Sequence, residues 1–169
     1  MTASAVVYSD MRKEIWMIGD CHCIVDGVYY DNPKPYELSI AMKRAEVIKK
    51  LLTDGVSESD LRNNDIGRET IIPLLREACK WQNVNYSVID GFSIPIQFVK
   101  VIKTCATGSE IILASDGYPR LMPTLKESEA ELDRLLCEDP LCIKENIATK
   151  GLKIGQKSFD DRSYIRLTN

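Results

Sequence analysis

EIWMIGDCHCIVDGVYY, residues 14–30, decides the fold class of this chain. Residues 14–20 are short, apolar and β-rich, and His22 to Val25 is joined to Val28–Tyr30 through Asp26-Gly27. That dipeptide favours a two-residue hairpin turn because both positions accept positive φ. Just upstream, SAVVYSD at 4–10 is another β-rich run, separated from 14–20 by the polar Met11-Arg12-Lys13, which reads as a first hairpin. The chain is therefore expected to open as an antiparallel meander.

From Tyr36 the period changes. Leu38, Ala41, Met42, Ala45, Ile48, Leu51 and Leu52 recur at three and four residues and predict an amphipathic helix over 36–52, with Gly55 placed to cap its end. The polar stretch 57–65 leads to a second predicted helix over 68–81, its inner side carrying Ile71, Leu74, Leu75, Ala78 and Cys79. Strands are expected again at 84–89, 94–102 and 109–115. Thr124 and Glu127 have capping-box spacing ahead of a helix that carries Leu132, Leu135 and Leu136 and stops before Pro140. A last strand is expected over 162–167. The order predicts an α+β fold, mainly antiparallel β-sheets flanked by helices, in a single domain over 1–169.

At 169 residues with 44% hydrophobic content the chain can bury a real core. A net charge of -3 provides no field to gather a polyanion, so nucleic acid is not an expected partner. No apolar run approaches the roughly 18 to 20 residues of a membrane span, and MTASAVVYSD lacks the basic start of a signal peptide, so no membrane partner and a cytoplasmic location are expected. The six cysteines, Cys21, Cys23, Cys79, Cys105, Cys137 and Cys142, read as free and mostly buried thiols. Cys21-His22-Cys23 has no second ligand pair at zinc-finger spacing, and His22 reads as an ordinary strand residue.

Two acidic sites combine a carboxylate with a strand end. Asp116 ends the strand EIILAS and is followed by Gly117, while Asp160 and Asp161 stand just before the final strand. Hard divalent cations prefer carboxylate oxygen, and strand ends hold such ligands rigidly while leaving room for water. The competing reading is a simple turn, because the sequence has four Asp-Gly pairs, at 26–27, 54–55, 90–91 and 116–117.

The sequence around these sites resembles the metal-dependent serine/threonine protein phosphatases of the 2C type. In that family a strand ending Gly-Asp-Ser leads into an Asp-Gly hairpin, as in IGDCHCIVDG at 18–27. A later hydrophobic strand ends Ser-Asp-Gly, matched by IILASDG at 111–117, and an Asp-Asn or Asp-Asp precedes a short C-terminal strand, matched by FDDRSYIRL at 159–167. The resemblance implies an α-β-β-α sandwich, cytoplasmic signalling, and hydrolysis of a phosphoserine or phosphothreonine ester on a phosphoprotein substrate by water held on two Mg²⁺ or Mn²⁺ ions. Carried over by position, it makes Asp116, with Gly117 beside it, and Asp160 metal ligands. Asp161 stands where the family has Asn or Asp next to the ligand, and Asp20 would assist a further, weaker ion. Cys21 occupies a position where the family often has Ser and is not expected to be a nucleophile.

The chain departs from the family in lacking the first metal motif, an Asp-Gly-x-Gly-Gly-like turn upstream of TASAVVYS, and a basic N-terminal residue that grips phosphate. The resemblance therefore describes a domain incomplete at its N-terminus, either an inactive or weakly active fragment of the enzyme or a non-catalytic binding or regulatory relative. Missing strands would also leave a sheet edge uncovered, which implies self-association through that edge.

Overall fold

A computed structural model describes residues 2–103 and 107–169; Cys105, read above as a buried thiol, lies outside the described residues. Its first strand pair follows the sequence reading. Strands β1 (Ala5–Ser9) and β2 (Glu14–Ile18) are antiparallel with Val7 opposite Trp16, and β3 (His22–Val25) and β4 (Val28–Tyr30) pair across Asp26 and Gly27 at φ 48° and 80°.

The four strands do not form one meander. Gly19, at φ 75°, turns the chain in a conformation that a residue with a Cβ adopts only at a cost. Its N–H donates to Ser87 Oγ at 3.0 Å and its carbonyl accepts from Asn32 Nδ2 at 2.9 Å, so the turn is pinned from both sides. There the chain leaves one sheet and enters another. The first has the order β1-β2-β5, with β5 at Lys100–Lys103; the second has the order β4-β3-β6-β7, with β6 at Glu110–Ala114 and β7 at Tyr164–Thr168. Every pairing is antiparallel. Alternate residues of both sheets build a shared core, Ile15, Met17 and Ile102 from the first and Cys23, Val25, Ile111 and Leu113 from the second. Each such buried aliphatic side chain contributes about 1.5–3 kcal/mol.

One expected strand is absent and another is shortened, each for a local reason. Residues 84–89 hold only isolated bridges, because Asn83 at φ 54° turns the chain and its side-chain amide takes up both the N–H and the carbonyl of Val88, each at 3.1 Å. In 94–102, Pro95 lacks a ladder donor and starts a 3₁₀ turn at Ile96–Phe98, so the strand begins only at Lys100.

The chain divides into two compact units, one of Met1–Lys34, Trp81–Glu129 and Asp160–Asn169, the other of Pro35–Lys80 and Ala130–Phe159. The second contains helices α1 (Glu37–Thr53), α2 (Glu58–Asn63) and α3 (Ile66–Cys79). Gly55, at φ 92°, ends α1 as expected, its N–H bonding Leu52 O. The buried face of α1 is Ile40, Ala41, Arg44, Ala45 and Ile48, whereas Leu38 and Met42 are exposed. The face is rotated because Arg44 points inward, its guanidinium bonding the Asp65 carboxylate and the carbonyls of Leu141 and Ala148. On α3, Gly67 and Ile71 are buried while Leu74 and Cys79 are exposed; a Cβ on Gly67 would meet Ile48 at 2.6 Å, so the two helices need a glycine where they approach.

Helix α4 (Leu125–Glu138) begins on the expected capping box, with Glu127 N donating to Thr124 Oγ1 at 3.2 Å and Thr124 N to Glu127 Oε2 at 3.1 Å. Among the described cysteines, all free, Cys21, Cys23 and Cys142 are buried, but Cys79 and Cys137 are exposed. No helix among the described residues is long and apolar enough to cross a membrane.

Candidate functional site

Three of the four Asp-Gly pairs are ordinary turns. Gly27, Gly55 and Gly91 have φ of 80°, 92° and 93°, and each has open space where a Cβ would stand. Gly117 differs in both respects. It has no positive φ, and a Cβ built on it would lie 2.1 Å from the backbone oxygen of Asp161. Glycine is required there because the SDG and DDR segments touch.

The touching segments are laced together. Ser115 N donates to Ser163 O at 3.2 Å, and Ser163 N donates back to Ser115 Oγ at 2.9 Å. Tyr118 donates to the Glu129 carboxylate, which also takes Arg162 Nε at 2.8 Å and Nη2 at 2.7 Å, and the Arg162 guanidinium stands 5.8 Å from the Tyr118 ring centre. Tyr164 closes edge-on against Tyr118 and donates to Pro123 O at 3.0 Å. The segment after β6, the start of β7 and the first turns of α4 thus form one network.

This network sets two carboxylates within electrostatic reach of each other. Asp116 is held above its ordinary pKa by burial first and then by the charges of Asp20 and Asp160, with Lys34 opposing. Asp160 accepts from Asp161 N at 3.0 Å, which fixes the loop just before β7. Asp20 joins this corner from the Gly19 turn. It accepts from Ser4 Oγ at 2.6 Å and forms an ion pair with Lys34. Burial alone would raise the Asp20 pKa, but Lys34 and Ser4 outweigh it and hold the carboxylate below its usual range. Asp20, Asp116, Gly117, Asp160 and Asp161, separated by up to 141 positions in sequence, thus lie at the same end of the second sheet, where His22, Ala114 and Tyr164 are in register.

The thiol beside them is inert. Cys21 is pushed up to about 11 by burial and then by the Asp20 and Asp116 charges, so it carries almost no thiolate at neutral pH. His22 is shifted down by burial, and its Nδ1 shares a hydrogen bond with the Tyr29 hydroxyl.

Sequence reasoning missed Ser4, Lys34 and the Tyr118–Glu129–Arg162 network. Lys34 had one usable signal: it lies between Pro33 and Pro35, and a residue before proline is driven to extended backbone, which makes its reach predictable. The network had none, because its members are 11 and 33 positions apart.

In kind, the donors suit a hard divalent cation. Asp116 is buried within reach of the Asp20 and Asp160 charges, a negative field that a cation relieves and that the Lys34 ammonium opposes. In arrangement, no three His, Cys, Asp or Glu side chains among the described residues form a group able to hold a metal ion, and Asp20 is already engaged. Among the described residues there is thus no preformed two-ion centre. Comparison of the chain with protein-family models, with curated proteins and with solved structures gives no match.

Proposed function

We propose that this chain is a phosphatase-2C-like module, its two sheets the inner layers of an α-β-β-α sandwich, that acts on phosphoserine or phosphothreonine in a protein substrate. In this reading Asp116 and Asp160 hold Mg²⁺ or Mn²⁺, with Gly117 and Asp161 shaping the backbone around them and Asp20 nearby. The observation that carries the reading is the Gly117–Asp161 contact, which joins the two acidic strand ends and sets the Asp116 and Asp160 charges against each other. When bound, a divalent ion lowers the pKa of its water and neutralises charge on phosphoryl oxygens. Ser4 and Lys34 keep Asp20 ionised and fixed, and Cys21 remains a thiol outside the chemistry.

A non-catalytic regulatory module is the second reading, and the Lys34–Asp20 pair favours it, because a tethered ammonium already supplies cationic charge to the corner. One experiment separates the two. The whole chain is titrated with Mn²⁺ while its melting temperature and its release of phosphate from a phosphopeptide are followed. The phosphatase reading expects a rise in melting temperature, since a ligand held by the native state stabilises it by about 2.7 kcal/mol at a hundredfold excess over Kd. It also expects Mn²⁺-dependent phosphate release, with both responses lost in Asp116→Asn and Asp160→Asn. A melting temperature indifferent to Mn²⁺ and no phosphate release overturn it in favour of the regulatory reading.

A further inference from the structure

The two sheets end in four edge strands, and three of them are protected against pairing with another chain. Strand β5 carries Lys100 and Lys103, β7 carries Arg166 in an ion pair with Glu110, and β4 has only three residues. Charged or very short edges discourage sheet extension. Strand β1, AVVYS, has five residues and no charge, proline or glycine.

One side of β1 is paired along its whole length with β2. On its other side, among the described residues, the chain is bridged only at Ala3, whose N–H and carbonyl both bond Ile89 at 2.9 Å. Backbone groups alternate sides along a strand, so the reciprocal bonds at Ala3 put the N–H and C=O groups of Ala5, Val7 and Ser9 on the same outer edge. No further strand among the described residues pairs with them. On the sheet surface, Val7 lies opposite Trp16 and Trp16 opposite Val101, with Val7 and Val101 both exposed and the Arg12 guanidinium 5.8 Å from the Trp16 ring centre.

We propose that this edge is a dimer interface whose occupant is a second copy of the chain, β1 pairing antiparallel with the partner's β1 about a two-fold axis at Val7. The register follows from the backbone. Pairing outward-facing residues with outward-facing residues over all five positions sets Ala5 against the partner's Ser9 and Val7 against the partner's Val7. Small residues then face small ones and no charge opposes its own copy, so the edge complements itself. The result is a six-stranded sheet bearing a continuous apolar row, Val101, Trp16 and Val7, followed by the same three residues of the partner in reverse order. The inference is independent of the chemistry at the acidic corner.

Sedimentation velocity of the whole chain over a range of concentrations tests it, with a reversible monomer–dimer equilibrium expected. Val7→Lys sets two ammonium groups opposite each other and should raise the dimer Kd about tenfold or more. Val101→Lys, at the far edge of the same row, should leave the dimer in place. Circular dichroism identical to the parent shows that both variants fold. A second measurement fixes the register in a background with Cys79, Cys105 and Cys137 changed to serine. Hydrogen-bonded antiparallel neighbours have Cα atoms about 5.5 Å apart, within disulfide reach, so Val7→Cys should cross-link on mild oxidation. Val6→Cys, which faces the partner's Tyr8, should not. A monomer at every concentration, a dimer that Val7→Lys leaves intact, or equal cross-linking at positions 6 and 7 overturns the proposal.

Discussion

Gly117 and Asp161 are in backbone contact: a Cβ on the glycine would stand 2.1 Å from the Asp161 oxygen and 2.7 Å from the Arg162 Cβ. The glycine is thus selected by packing and not by a left-handed turn, and it reports that two distant acidic segments share one place. Gly117→Ala must push those segments apart. Overpacking against fixed neighbours costs about 1–3 kcal/mol, and a backbone neighbour with nowhere to move places this case toward the top of that range. The expected outcome is a lower urea midpoint at unchanged m-value, together with loss of any Mn²⁺-induced stabilisation. An unchanged midpoint would mean that the contact is not held in solution.

Lys34 holds Asp20 in an ion pair whose carboxylate side chain is 10% exposed and whose lysine is 22% exposed. Removing one member of a mostly buried pair leaves the other charge uncompensated, which costs about 3–5 kcal/mol for full burial and about 2 kcal/mol at this exposure. Lys34→Met should therefore be distinctly less stable than the parent in urea unfolding. Adding Asp20→Asn to it should recover much of the loss, because the orphaned charge is then gone. A double variant no more stable than Lys34→Met alone would show that the lysine acts through packing of its stem.

Glu129 provides the pH dependence. Its carboxyl is held down to about 2, first by the Arg162 hydrogen bonds and then by Tyr118. An unfolded glutamate titrates near 4.3, so the folded state binds fewer protons between these values. The stabilisation is fully present above about pH 4.3 and is lost as the pH falls toward 2. Both side chains of the pair are about one-third exposed, so solvent screening limits the contribution to about 1 kcal/mol. Arg162→Gln should lower stability at pH 7, and the two proteins should converge as the pH falls toward 2. Parallel stability curves across that range would rule out the pair as the source.

How far the sequence was legible follows from the range of the interactions. The Asp26-Gly27 hairpin, the Gly55 helix end and the Thr124–Glu127 cap each depend on residues within four positions, and each is found where pattern reading puts it. The helix α2 was missed because six residues are too few to show a period, although Ser57 caps it by accepting from Asp60 N at 3.1 Å. The splitting of the opening strands into two sheets depends on Gly19, Asn32 and Ser87, and the inward rotation of α1 depends on Arg44 meeting Asp65; neither leaves a periodic trace. The acidic corner lies between these cases. Asp116 and Asp160 were visible as strand-end carboxylates, but the lysine that pairs with Asp20 and the Tyr118–Glu129–Arg162 network arise from tertiary contacts alone.

Arg44 is the largest fully buried side chain among the described residues, and its demand for partners is met on every side. Its Nε and Nη2 hold Asp65, and Nη1 donates to Leu141 O at 2.8 Å and Ala148 O at 3.1 Å. Asp65 in turn accepts from the N–H groups of Arg68 at 2.8 Å and Gly151 at 3.2 Å, so one ion pair fixes the start of α3 and the loop after residue 139. Asp139 anchors the same loop by accepting from the N–H groups of Ile143, Lys144 and Asn146. Arg44→Met buries Asp65 without its cation and leaves two carbonyls without donors, and the expected loss is about 3–5 kcal/mol. Arg44→Lys should recover little of it, because a single ammonium cannot reproduce the bidentate grip and also reach both carbonyls. Chemical denaturation compares the three proteins, with proteolysis reporting release of residues 140–158. A lysine variant as stable as the parent would show that charge alone, not the geometry of the guanidinium, holds this unit together.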